Sequence, residues 1–143
     1  MAGGQAIDLA SVGKKLAPGE LQDMHARKTG ALMHAAVRLG ALAAESPNQS
    51  LLAALDAYGH AIGLAFQIAD DVLDVEGETA ILGKQPGADQ ARGKPTYATL
   101  LGTEGAKAKA KALLDRALES LAPLGDNGAV LAVLARYIVE RRQ

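Results

Sequence analysis

An all-α domain is expected from this chain of 143 residues, and three observations carry the expectation. Apolar residues recur every three or four positions along most of the chain, the period of helices that bury one face. Alanine and leucine dominate while aromatics make up 3%, so the helices should approach closely through small side chains. Glycine and proline fall between the periodic stretches, at Pro18-Gly19, Pro47 and Gly77 among others, where they end or separate helices. Five to seven helices sharing one core are expected over residues 1–143, without an internal repeat or a second domain.

Composition narrows the function classes. Apolar residues make up 49% of the chain, enough for a real core, and the formal net charge is -1. That balance gives no electrostatic case for nucleic acid or an anionic membrane as a partner. With no cysteine, disulfides and thiolate metal sites are excluded. No apolar run reads as long enough to span a bilayer and no signal peptide opens the chain, so a cytoplasmic location and no stable membrane insertion are expected.

The elements follow in order. Residues 1–15 carry Ile7, Leu9 and Val12 around a lone acid, Asp8. Gly3-Gly4 is a poor helix start, so this stretch should be the middle of a helix that begins earlier. Leu16 to Gly19 is a turn. Glu20 to Glu45 should be helical, with Leu21, Met24, Leu32, Ala35, Leu39 and Leu42 on its buried face. Arg27-Lys28-Thr29-Gly30 interrupts it, since glycine inside a helix costs up to about 1 kcal/mol relative to alanine. A local bend with exposed carbonyls is expected there, and Lys28 taken alone reads as a surface lysine. Ser46-Pro47-Asn48 closes the segment.

Gln49 to Val75 should be the longest helix, with a seam of Leu51, Leu55, Tyr58, Ile62, Ala65, Ala69 and Val72. Gly59 and Gly63 allow close helix approach or leave room for a ligand. His60 reads as a structural histidine, and without a His-Glu-x-x-His pattern a zinc hydrolase is not indicated. Gly77 to Pro95 is a long loop with four glycines and the cations Lys84, Arg92 and Lys94. A loop of that length is either functional or a mobile linker; its cations suit phosphates. It is not a Walker A loop, because neither Lys84 nor Lys94 precedes Ser or Thr. Thr96 to Leu101 is a short helix. Glu104 to Leu121 turns Leu113, Leu114, Ala117, Leu118 and Leu121 inward and Lys107, Lys109 and Lys111 outward. Pro123 to Gly128 is a loop. Ala129 to Gln143 is a last helix whose Arg141 and Arg142 suit the negative end of its dipole.

The chemistry gathers at the end of the longest helix. Gln67, Asp70, Asp71 and Asp74 fall at i, i+3, i+4 and i+7, so they share one polar stripe in an otherwise apolar helix. The acids repel one another near the negative end of the macrodipole, each penalty amounting to a few tenths to about 1 kcal/mol. Such a stripe needs a cation or shared protons. Hard oxygen donors without cysteine or clustered histidine suit Mg²⁺, held by one or two carboxylates plus substrate phosphates. A solvated acidic helix end is the alternative for an isolated D-D-x-x-D. The apolar surroundings and the basic loop downstream favour the cation.

Four stretches resemble, in order, the motifs of the trans-isoprenyl diphosphate synthases. Phe66 to Asp74 is similar to their second aspartate-rich motif. Gly4-Gln5-Ala6-Ile7-Asp8-Leu9 resembles their G-Q-x-x-D-L helix, and Lys28-Thr29-Gly30-Ala31-Leu32 their K-T-x-x-L segment. Gly83-Lys84, Gly87-Ala88-Asp89 and Gly93-Lys94-Pro95-Thr96-Tyr97 resemble their G-K-x-x-G-x-D…G-K-x-T-Y loop. Within the family the match is nearest the bacterial members whose product is farnesyl diphosphate.

The resemblance implies an isoprenoid-synthase-type helical bundle. It implies condensation of an allylic diphosphate (dimethylallyl or geranyl diphosphate) with isopentenyl diphosphate, releasing pyrophosphate. It assigns Mg²⁺ chiefly to Asp70, with Asp71 and Asp74 in support. Lys28, Lys84 and Lys94 would bind the allylic diphosphate, and Thr29 and Gln67 would set oxygen dipoles near the developing carbocation. Arg141 and Arg142 would belong to a tail that closes over the site. The first aspartate-rich motif and the helices that carry it are not in this sequence. The resemblance therefore implies the C-terminal part of one polyprenyl synthase domain, inactive alone. A homodimer or domain-swapped assembly is expected from the apolar seams this leaves. A non-catalytic helical subunit or dimerisation module is the alternative.

Overall fold

The computed structural model describes residues 1–43, 48–76 and 88–141. Among these are seven α-helices, one π turn, one 3-10 segment and no strand, which meets the all-α expectation. Helix α1 (Ala2–Ala10) leads to α2 (Pro18–His25), which runs through a π turn (Ala26–Gly30) into α3 (Ala31–Leu42). Helix α4 (Gln49–Glu76) is the longest. Helix α5 (Ala88–Ala91) is a single turn, followed by α6 (Tyr97–Ser120), a 3-10 segment (Ala122–Gly128) and α7 (Ala129–Glu140). The expected close at Ser46-Pro47, the Gly83-Lys84 and Gly87 part of the loop, and Arg142 lie outside the described residues.

Local chemistry accounts for the ends. Pro18 opens α2, where its missing N–H is no loss, and the Glu20 carboxylate accepts the Ala17 N–H at 2.8 Å. Thr96 and Thr99 cap α6 reciprocally: each hydroxyl accepts the other's backbone N–H, at 3.1 and 3.0 Å. The two helices expected over 96–101 and 104–121 are one element bent at Gly102, where φ is +72° and only glycine sits without strain. The weak stretch Arg27 to Gly30 is wound as the π turn, a form that commonly marks functional sites.

Helix α4 is the axis of the fold. Its first half packs Tyr58, Ala61, Ile62 and Ala65 against Leu114, Ala117 and Leu121 after the bend of α6 and against Ala135 and Ile138 of α7. Its second half packs Leu64, Ile68 and Val72 against Leu21 and Met24 of α2 and Tyr97, Ala106 and Ala110 of α6. Alanines on both sides let α4 and α6 come close, as composition foretold. Tyr58 donates to the Leu131 carbonyl at 2.8 Å; burial pushes its phenol up to about 12, so it stays a neutral donor.

Two expectations need correction. Leu21 and Met24 are buried, but the rest of the face assigned to 20–45 is not: Leu32, Leu39 and Leu42 are about half exposed or more. Helix α3 meets α4 through Met33, Val37 and His34 instead. It has two apolar stripes, and periodicity cannot say which one a single neighbour covers. Second, α4 is long and apolar enough to cross a membrane by length and composition. Half of that apolar stretch is buried inside the fold, against α2, α6 and α7.

Candidate functional site

The π turn is wedged between two glycines. A Cβ on Gly4 of α1 would lie 2.2 Å from the Lys28 backbone nitrogen, and one on Gly63 of α4 would lie 2.9 Å from Gly30 Cα. These contacts seat the turn that carries Lys28 and Thr29 between α1 and α4. Lys28 donates through Nζ to Asp8 Oδ2 at 2.7 Å, and the Asp8 carboxylate is almost fully buried. Thr29 is half-buried beside it.

The acidic stripe divides once α4 is packed. Successive residues of a helix point about 100° apart, so Asp70 and Asp71 go different ways. Asp71 is buried. Its Oδ2 accepts the Tyr97 N–H at 2.8 Å and lies 3.4 Å from Nε2 of buried His25, whose ring stacks on Tyr97. This places a carboxylate at the positive N-terminus of α6, where the dipole favours it. Gln67 is buried one turn earlier on the same side. Asp70 stays accessible, with Arg141 Nη2 3.2 Å from its Oδ1. The same guanidinium lies 4.5 Å above the centre of the Phe66 ring, a cation–π contact that fixes its approach. Asp74 turns to the following segment, where its Oδ2 accepts the Asp89 N–H at 3.0 Å.

Asp89 links Asp74 to Lys94, whose Nζ is 2.7 Å from Asp89 Oδ1. The segment before Lys94 is pinned to the end of α1: the Gly13 N–H donates to the Gly93 carbonyl at 2.8 Å, with both glycines at positive φ. Tertiary structure thus gathers Asp8–Lys28, Asp70–Arg141 and Asp74–Asp89–Lys94 around the C-terminal turns of α4. Lys84 lies outside the described residues. Among those described, no group of three or more His, Asp or Glu is arranged to hold a metal.

The charges of the site act on one another. Burial pushes the Asp70 carboxyl above its usual range, Asp71 and Asp89 add to this, and Arg141 and Lys28 oppose it. Its side chain is itself more than half accessible, so solvent screens these effects. For Lys94, burial works against the charged form, but the bond to Asp89 and the charge of Asp8 outweigh it and hold the ammonium above its usual range. An acid whose folded pKa is raised destabilises the fold above that pKa and not below the unfolded value. Asp70→Asn is therefore expected to raise stability modestly at pH 7. The gain should vanish on acidification below the ordinary aspartate value, as followed by urea unfolding at several pH values.

Sequence reasoning singled out Asp8 as an oddity but not as the partner of Lys28, quoted Asp89 in the loop motif without giving it a role, and missed His25. Asp89 carried a usable signal, an acid five residues before Lys94. His25 carried none, because its partners lie on other helices.

Known proteins resemble this chain over its whole length. The polyprenyl synthetase family profile matches residues 1–131. The farnesyl diphosphate synthase of Escherichia coli (strain K12) is 50% identical over 146 residues, covering 100% of this chain and 49% of that protein. The structure of a Helicobacter pylori geranyltransferase complexed with magnesium and isoprenyl diphosphate superposes with a TM-score of 0.80 at 29% identity, covering 98% of this chain and 46% of the other. The fold alone is shared with heptaprenyl diphosphate synthase of Staphylococcus aureus, with a TM-score of 0.93 at 23% identity over 99% of this chain and 56% of that one. The chain spans about half the length of the curated relatives it matches. With motif order, helical fold and profile in agreement, the chain belongs to the polyprenyl synthetase family.

Proposed function

We propose that this chain carries the diphosphate-ionising side of a prenyltransferase of the farnesyl diphosphate synthase type. The reaction would join an allylic diphosphate to isopentenyl diphosphate and release pyrophosphate. The observation that carries the reading is Asp70: an accessible acid one turn before Asp74 on α4, with Arg141 Nη2 3.2 Å from its Oδ1. Carboxylates one turn apart on one helix repel each other, so the pair favours an arriving cation.

The donors fit magnesium. Asp70 and Asp74 offer hard oxygens, and two carboxylates suffice where waters and substrate phosphates complete the shell. Bound there, Mg²⁺ would supply Lewis-acid neutralisation of the leaving pyrophosphate. Lys28 and Lys94, with Lys84, would bind the diphosphate, so negative charge building on it meets fixed ammonium groups. Thr29 and Gln67 would turn oxygen dipoles toward the developing allylic cation. Asp71 would support from behind, holding α4 to the start of α6. Isopentenyl diphosphate and the facing half of the cage would be held by the part of the domain outside this chain, so condensation by this chain alone is not expected.

A second reading, a non-catalytic helical subunit or dimerisation module, draws on the exposed apolar residues of α3 and α7, among them Leu39, Val130, Val133 and Tyr137. Calorimetric titration of pyrophosphate in the presence of Mg²⁺ separates the two. The prenyltransferase reading expects magnesium-dependent binding that Asp70→Ala weakens by about tenfold or more, roughly 1.4 kcal/mol. Binding that ignores Asp70 removes that residue from the role. No binding at all, with dimers in light scattering, leaves the subunit reading standing.

A further inference from the structure

Ten residues before Asp70 on α4, roughly 15 Å along its axis, His60 meets His34 of α3. Their ring centroids are 4.1 Å apart and the planes are tilted by 51°. Each ring has one nitrogen already committed. His34 Nε2 lies 2.8 Å from Asp56 Oδ1, and a carboxylate only accepts, so Nε2 carries the hydrogen. Asp56 is held in its charged form by Arg38 first and His34 second, below the usual carboxylate range. His60 Nδ1 lies 2.7 Å from the Asp56 carbonyl oxygen, which also only accepts, so Nδ1 carries the hydrogen there. In their neutral forms the two rings are left with one lone pair each, at Nδ1 of His34 and at Nε2 of His60.

This is how metal-binding imidazoles are held. The other ring N–H is given to a carboxylate or a carbonyl, which sets the tautomer and makes the free nitrogen more basic. Here a single residue, Asp56, does both, one through its side chain and one through its backbone. The ring centroids are 4.1 Å apart, within the span that two Zn–N bonds of about 2.0–2.1 Å bridge when both rings turn their free nitrogens to one ion. A cleft of about 380 Å³ opens beside them, lined in part by Asp23, Arg27 and Leu64. It leaves space for an ion and its waters.

We propose that His34 and His60 form a transition-metal site that takes Zn²⁺ through two imidazoles and fills the remaining positions with water. The chemistry is distinct from that of Asp70 and Asp74: nitrogen donors suit Zn²⁺ or Ni²⁺, whereas carboxylates suit Mg²⁺. The ion would bridge α3 and α4. Helix α3 has no fully buried residue, and a bridge at His34 would add to the packing of Met33 and Val37 that holds it to the core. With two protein ligands the site should bind in the micromolar range.

The test is calorimetric titration of ZnCl₂ into the untagged chain, alone and in the Asp70→Asn variant. One ion bound with micromolar affinity in both, and a melting temperature that rises with zinc, is the expected result. His60→Ala, at an exposed position, should lower the affinity by about tenfold or more, and His34→Ala should do the same. Zinc should shift the imidazole NMR signals of His34 and His60 while leaving buried His25 in place. Zinc binding that survives His60→Ala undiminished, that disappears in Asp70→Asn, or that is absent from the parent chain overturns the proposal.

Discussion

Lys28→Met is expected to destabilise the chain by about 3 kcal/mol in urea unfolding. Asp8 is 2% exposed, and its carboxylate reaches Lys28 Nζ at 2.7 Å. Removing one partner of a buried ion pair leaves an uncompensated charge, at a cost of about 3–5 kcal/mol. The lower end applies because Lys94 is close enough for Asp8 to raise its ammonium and can answer part of the charge. The pair itself need not be stabilising: Asp8→Asn combined with Lys28→Met should return to within about 1 kcal/mol of the parent, since neither buried charge then remains. A loss below about 1 kcal/mol for Lys28→Met alone would show that Asp8 finds another partner. The same variant should weaken pyrophosphate binding, and the double variant should not restore it. That split separates the structural work of Lys28 from its proposed ligand role.

Asp71→Ala is expected to cost about 3 kcal/mol, while Asp71→Asn should cost about 1 kcal/mol. The alanine leaves the Tyr97 N–H without an acceptor in a buried place and removes the carboxylate that lies 3.4 Å from His25 Nε2. An orphaned buried donor costs about 1–3 kcal/mol, and more where a charge had served it. Asparagine keeps an oxygen for the Tyr97 N–H but gives up the negative charge at the helix N-terminus, worth about 0.3–1 kcal/mol. Urea unfolding reads both numbers. Hydrogen exchange should show the Tyr97 amide opening in the alanine variant and remaining protected in the asparagine one. Equal losses in the two variants would mean that the carboxylate, and not the acceptor, is what the start of α6 requires.

Particular residues show how far the sequence was legible. The long helices and their order followed from periodicity and punctuation, while the single turn α5 and the 3-10 segment lie where loops were expected; the weak stretch Arg27 to Gly30 was visible because Thr and Gly are poor helix formers. The buried face of α3 was misread because Leu32, Leu39 and Leu42 form a stripe as regular as the one that docks. The single acidic stripe of α4 was a property of the helix in isolation. Packing against α2, α6 and α7 split it, sending Asp71 to the Tyr97 N–H, Asp70 to Arg141 and Asp74 to Asp89. Pairings such as Asp8–Lys28 join residues 20 positions apart, and nothing local encodes them.

The sequence by itself determined the helical class, the central place of the Gln49–Glu76 segment, the motif order and with it the family, because these rest on short-range spacing that a chain carries before it folds. Only the tertiary structure decided which acid stays accessible, which one becomes a buried cap, and which cation answers each. Those outcomes depend on where neighbouring helices close over α4, and a carboxylate's charge, partners and reach are set by what surrounds it in space.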